Sequence, residues 1–183
     1  MWMHLIFSGY SVMPMSKQIL LCVEANKQSR TDYQYIEAVI KRFYADDRKI
    51  VYRPIFMGSK TKYNAKDVVR DIDKRIKAYG GITYVIYFID TDDYNTSPET
   101  RRLYDDIASY CRANGFDLVF FCRDVEDVFI GHQVSDSEKI RQVAVFNRKN
   151  IIEDVDEAKL LVKEHRQHCS NILNVMDKYW KRK

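Results

Sequence analysis

Apolar residues recur along this chain in two alternating rhythms. Short, nearly continuous apolar runs appear at Gln18–Val23, Lys49–Met57, Tyr84–Ile89 and Phe116–Cys122. Their length and their β-branched and aromatic content suit strands buried on both faces, as in a parallel sheet. Between them the apolar positions fall three and four apart: Ile36, Val39, Ile40, Phe43 and Tyr44; Val68, Val69, Ile72 and Ile76; Leu103, Ile107, Ala108 and Cys111. That spacing predicts helices with one buried face. The order β-α-β-α-β-α-β-α predicts an α/β fold, a mostly parallel sheet of four to five strands with helices on both faces.

Capping residues sharpen the boundaries. Thr31 with Gln34 reads as a capping box opening the first helix, which should end near Asp46–Asp47. Asn64 should cap the second helix and Gly80-Gly81 end it, while Ser97-Pro98 opens the third and Gly115 closes it. Asp124 caps a short helix stopped by Gly131, and Ser135 with Glu138 is a second capping box ahead of Ile140, Val143 and Ala144. Gln142–Phe146 fits a strand as well as a helix. Asp154 and Glu157 should open a long C-terminal helix with the stripe Ala158, Leu161, Val162, Cys169, Ile172, Leu173, Met176 and Trp180. Pro54 places its strand at a sheet edge or at a break. Residues 1–15 read as an N-terminal appendage ahead of one domain over 16–183, with Met13 and Met15 as alternative starts.

Composition changes this picture little. The 183 residues suffice for a core without staples, 46% of them are hydrophobic, and 30 basic against 26 acidic residues leave +4. That balance permits a nucleic-acid partner without demanding one. Cys22, Cys111, Cys122 and Cys169 lie far apart, with no CxxC pair, which points to free thiols in a reducing, cytoplasmic setting rather than to a zinc site. No apolar stretch is long enough to span a bilayer. His165, His168 and Cys169 read as structural. The 13 tyrosines fall mostly among apolar positions, which favours core and interface duty over base stacking.

The chemistry gathers where strands end in acids. Tyr84–Ile89 runs straight into Asp90-Thr91-Asp92-Asp93, and the first strand ends at Glu24. Unpaired carboxylates are costly to bury, so they belong at the carboxyl rim, where open α/β sheets bind ligands. If the two strands are parallel neighbours, Glu24, Asp90 and Asp92 converge. Their mutual repulsion then calls for a hard divalent cation, Mg2+ or Mn2+. Glu24 serves as general acid or base, or as a ligand itself; Asp93 reads as a turn former. Lys27, Arg30, Lys60, Lys62 and Arg123 all follow strands, where they meet a phosphate backbone or stand as solvated charges.

Those acids carry a resemblance. A glutamate ending the first strand and an Asp-x-Asp ending the third resemble the Toprim superfamily, which includes topoisomerases, primases and nucleases. The pattern is most similar to RloB-like, defence-associated Toprim proteins, whose first motif runs Glu-Gly-x-Lys-Thr-Glu-x-x-Tyr. Here it reads Glu24-Ala25-Asn26-Lys27, three further residues, then Thr31-Asp32-Tyr33-Gln34-Tyr35-Ile36. Their Phe-Glu-x-Trp-Leu-Leu-x-His stretch is similar to Val125-Glu126-Asp127-Val128-Phe129-Ile130-Gly131-His132. The resemblance covers roughly residues 17–135; Ala25 in place of glycine and the longer loop are its departures.

It implies a Toprim/Rossmann-like sheet, Glu24 as general acid/base, and Asp90 and Asp92 as ligands of Mg2+ or Mn2+. Glu126 either joins that rim as a further ligand or is a first-turn acid favoured by the helix dipole. The activity expected is metal-dependent phosphodiester hydrolysis on DNA or RNA in prokaryotic anti-phage defence. The alternative is a non-catalytic Toprim-like subunit that binds a defence ATPase or its own copy; no membrane is expected in either. A nucleotide hydrolase is disfavoured, because no GxxxxGK loop is present.

Overall fold

Strand pairing settles the architecture. In the computed structural model, which describes residues 16–183, strands β1 (Lys17–Val23), β2 (Ile50–Phe56), β3 (Ile82–Asp90) and β4 (Asp117–Phe121) form one all-parallel sheet. Their order is β2-β1-β3-β4. The fold is therefore α/β as predicted, with four strands; the appendage expected over 1–15 lies outside the described residues. Helices α1 (Thr31–Phe43), α2 (Lys66–Ala78) and α3 (Pro98–Asn114) are the crossovers, followed by α4 (Val125–Ile130), α5 (Lys139–Arg148) and α6 (Ile172–Met176).

Two cores result from the period-2 alternation of the strands. Ile19, Leu21, Val23, Ile86, Phe88, Val119 and Phe121 face α1, α4, α5 and α6. Leu20, Cys22, Ile55, Val85, Tyr87 and Ile89 face α2 and α3. The first core is the larger and is knit by aromatic rings: Tyr35 stacks on Phe129 at 5.5 Å and tilts against Phe146 at 4.7 Å. Cys22, Cys111 and Cys122 are buried free thiols, as their apolar surroundings predict. No helix among the described residues is long and apolar enough to cross a membrane.

Several predicted boundaries shift, each for a local reason. Thr31 is the first helical residue of α1 rather than its cap, because Arg30 takes the N-cap position at φ 53 without a side-chain hydrogen bond. The Thr31 hydroxyl instead donates to Asp32 at 3.1 Å, and Gln34 accepts from Asn147 at 3.2 Å, so the first capping box does not form. The helix stops at Phe43, since Tyr44 turns extended and bridges to Arg182. Ala65, not Asn64, precedes α2. The starts of α3 and α4 are as expected: Ser97 accepts from Thr100 N–H and Asp124 from Asp127 N–H. Residues 142–146 are helical, within α5, but Ser135 and Glu138 make no box and Ile140 is 61% exposed; Val143 and Phe146 are its buried residues.

The long C-terminal helix does not form. Residues 151–154 and 157–160 are short 3₁₀ turns, and helix returns only in α6. The open edge of β4 explains this. Ser170 bridges to Phe121, its hydroxyl donates to Phe120 O at 2.6 Å, and Cys122 N–H donates to Cys169 O at 2.9 Å. Asn171 spans the same edge, accepting from Phe120 N–H at 2.9 Å and donating to Leu118 O at 3.1 Å. An edge strand presents unpaired amides and carbonyls, and this strap pairs them. The stripe residues Ile172, Leu173, Met176 and Trp180 are buried all the same. Their spacing reflected burial, not continuous helix. The opposite edge, β2, is protected by Pro54. Met57 N–H donates to Val23 O at 2.9 Å, so by alternation Pro54 faces outward, where its missing N–H costs nothing and blocks pairing.

Candidate active site

The strand order places a switch point between β1 and β3. From β1 the chain crosses to β2 on one side, then returns past β1 to β3 on the other. Such a crevice at the carboxyl ends of the strands is where open α/β sheets bind ligands. Glu24 and Asp90 leave the sheet there as neighbours, because Val23 pairs with Phe88. Glu24 Oε1 accepts the Asp90 backbone N–H at 2.7 Å.

Two further acids enter from other elements. Asp32, 8% exposed in the first turn of α1, accepts Ala25 N–H at 2.7 Å and so ties the loop after β1 to the helix. Ala25 is outside the left-handed region, so its backbone needs no glycine there. Glu126, in the first turn of α4, is fully buried, and neither of its carboxylate oxygens has a hydrogen-bond partner among the described residues. The Lys139 ammonium of α5 is its nearest cation, 3.7 Å from Oε2. A cavity of about 520 Å³ opens over Glu24, Asp32, Asp90 and Lys139, rimmed by Asn26, Ser29, Ser59 and the exposed Ile140.

The electrostatics follow from crowding buried carboxyls. Burial, foremost, raises Glu24 to about 7, with Asp32 and Asp92 adding to the rise and Lys60 and the Asp90 amide opposing it. Glu126 is likewise raised to about 7 by burial, with Lys139 opposing and Asp32 adding. Asp90 is held well above the usual carboxylate range by burial and then by Glu24, Asp32 and Glu126. Asp32 is also raised, by burial, against the Ala25 amide and Lys139. For Lys139 burial disfavours the charge, but Glu126, Asp90, Asp32 and Asp124 more than offset it, and its pKa is raised. Clusters of acids with displaced pKa values in a cleft mark functional sites.

The remaining predicted residues divide. Asp92 sits beyond the end of β3 at φ 45, exposed, with its carboxylate paired to Lys60. Strand alternation therefore does not carry Asp92 onto the side of Asp90. It borders a separate cavity of about 260 Å³ with Thr91, Asp93 and Arg123. Lys60 also donates to the Asp90 carbonyl at 2.7 Å, which makes it a brace of the rim. Arg123, at φ 68, is held by its backbone: its N–H donates to Thr91 Oγ1 at 3.0 Å. Lys27, Arg30 and Lys62 are exposed on the loops after β1 and β2. His132 is exposed, beside its own turn at Ile130 O. His165 lies against Tyr94, Tyr104 and Phe120, and His168 Nδ1 is 3.1 Å from Asp127 Oδ2, so neither joins the acids.

Asp32 and Lys139 are the site residues that sequence reasoning missed. Asp32 stands at the second acid of the first motif, a signal that was present. Lys139 follows a polar turn and has none. Among the described residues no three His, Cys, Asp or Glu side chains already converge as a ready metal site. The Glu126 carboxylate, buried, without a hydrogen bond among the described residues and paired only with Lys139, acts electrostatically on Asp90 and is acted on by Asp32. The group nevertheless fits a hard divalent cation: oxygen donors only, with negative charge in excess of the nearby lysine. Comparison with family models, curated proteins and solved structures finds no match to this chain.

Proposed function

We propose that this protein is a divalent-metal-dependent phosphodiesterase of Toprim type, cleaving nucleic acid at the acidic rim between β1 and β3. The observation that carries the reading is Glu126, a fully buried carboxylate without a hydrogen-bond partner among the described residues, close enough to Asp90 and Asp32 for their charges to act on one another. The ion pair with Lys139 at 3.7 Å leaves both oxygens without a hydrogen bond, and a buried carboxylate so incompletely paired costs several kcal/mol, of order 3–5. Asp90, Glu126 and Asp32 would hold Mg2+ or Mn2+, which supplies Lewis-acid polarisation of a phosphoryl oxygen.

The protein's own groups account for the rest. Glu24, with a pKa near 7, is poised to accept a proton from water at neutral pH and return it to the leaving oxygen. Lys139, lining the same cavity, offers a cation to a phosphate oxygen as charge builds there. Asp92, a metal ligand by the resemblance, holds Lys60 against the Asp90 carbonyl in this arrangement. The similarity to RloB-like proteins extends the reading to phage defence, in the reducing cytoplasm that free buried thiols suit.

The test is cleavage of single- and double-stranded DNA and RNA with Mg2+, Mn2+ or chelator, beside Glu24→Gln and Asp90→Asn. Metal-dependent cleavage should fall by about 100-fold or more in each variant. Activity that survives both substitutions would sink the site. No cleavage of any substrate by the intact protein would leave the partner-subunit reading.

A further inference from the structure

A second cavity, of about 500 Å³, runs along the outer edge of β2 and shares Asn26 and Gly58 with the acidic cavity. Its wall is basic and carries one aromatic ring. Lys27 and Arg30 come from the loop after β1, Arg53 and Phe56 from β2, and Arg75 from α2. Its one acid, Asp71, is spoken for by Arg75 through bonds of 3.0 and 3.2 Å. Lys27, Arg30 and Arg53 make no ion pair among the described residues, and all three are exposed. Resting on the phosphodiesterase reading, we propose that this groove binds single-stranded nucleic acid and feeds its backbone to the acidic rim.

Three features are already set for such a ligand. Arg30 is held at φ 53, a conformation uncommon outside glycine, and its guanidinium lies 5.3 Å from the Tyr33 ring centroid and 5.7 Å from that of Phe56. The cation is fixed in place before any phosphate arrives. The Asn26 side chain accepts from Gln28 and Ser29 N–H at 2.9 and 2.8 Å, which stiffens the turn carrying Lys27. Phe56 precedes Met57, whose N–H is taken by β1, so by alternation the Phe56 N–H points outward at the groove, without a partner among the described residues.

Cations interleaved with an aromatic ring are the pattern that tracks single strands, because backbone charge and base faces are met together. A cavity of this size matches a ligand of drug-like dimensions, about that of a nucleotide. A flexible strand can also follow the turn from the β2 edge into the acidic cavity. The outward-facing Pro54 keeps another β-strand from occupying the edge instead.

The experiment uses the full chain carrying Glu24→Gln, so that binding is read without cleavage. Fluorescence anisotropy compares labelled oligothymidylate, oligouridylate and a duplex of equal length across a salt series. We expect single strands to bind about tenfold tighter than duplex, with a slope of log K against log salt of about −2, as three phosphate contacts give. Lys27→Glu with Arg53→Glu, both exposed and checked for folding by circular dichroism, should weaken binding at least tenfold and flatten that slope by about 1.4, two of the three contacts being lost. The RNA and DNA arms tell which single strand it prefers. Affinity and slope unchanged by the double reversal, duplex bound equally well, or a polyglutamate peptide competing charge for charge would each overturn the groove. Groove-dependent binding without cleavage by the intact protein in any metal would overturn the phosphodiesterase reading alone. Metal-dependent cleavage indifferent to Lys27 and Arg53 would overturn the groove alone.

Discussion

At the scale of single residues, the site turns on which carboxylates gather at the rim, with Glu24, Asp32 and Asp90 lining the cavity and Glu126 fully buried outside its lining. Glu24 and Asp90 are brought together by strand register, Asp32 by the first turn of α1, and Glu126 by α4, while Asp92 is engaged by Lys60. Cation affinity should follow that division. Isothermal titration with Mn2+ at pH 8 is expected to show Asp32→Asn and Glu126→Gln each weakening binding by about tenfold or more, and Asp92→Asn weakening it less. Glu126→Gln also removes a buried charge. Without metal at pH 8, where Glu126 with its pKa near 7 is ionised, that variant should be more stable to urea by about 1–3 kcal/mol. A larger metal-binding loss from Asp92→Asn than from Asp32→Asn would move the ligand set back to Asp-x-Asp.

At the scale of elements, the strap over β4 matters most. Asn171 satisfies Phe120 N–H and Leu118 C=O with one side chain, and Ser170 reaches Phe120 O. Asn171→Ala leaves both backbone groups without those partners, which should cost about 2–3 kcal/mol in urea unfolding and expose the β4 edge to self-association. A mass by light scattering equal to that of the unaltered protein, with unchanged stability, would show the strap to be dispensable. The element pattern was largely legible: four apolar runs became four strands, and three periodic segments became three crossover helices. Cap residues misled where the side chain had other work. Thr31 bonds to Asp32, and Glu138 stands 3.9 Å from Arg141, neither of which short-range spacing can show.

At the scale of the whole molecule, stability without metal should depend on pH in an unusual direction. Glu24 and Glu126 rise from 4.5 to about 7 on folding. Between those values the folded chain retains protons that the unfolded chain has already released. Stability contributed by these protons is present below about 4.5 and lost as pH rises through about 7. Each group accounts for up to about 3 kcal/mol. The melting temperature in chelator should therefore fall from pH 5 to pH 8. Mn2+ should restore it at pH 8 and do little at pH 5, where protons hold the sites. A chelated protein that melts highest at pH 8 would rule out the buried acid cluster as described.

The sequence by itself determined the strands, their parallel burial and the presence of acids at the ends of the first and third. Apolar periodicity and the cost of burying charge are local properties, and a single chain carries them openly. Tertiary structure alone decided which acids meet. The β2-β1-β3-β4 order puts Glu24 beside Asp90, the first turn of α1 folds Asp32 back onto the loop after β1, α4 brings Glu126 from a distant segment, and α5 brings Lys139, a residue that no motif singled out. It also decided the C-terminal region, where pairing the open β4 edge won over continuing a helix. Hydrogen bonds and Coulomb interactions act through space, so their partners depend on how the chain returns on itself.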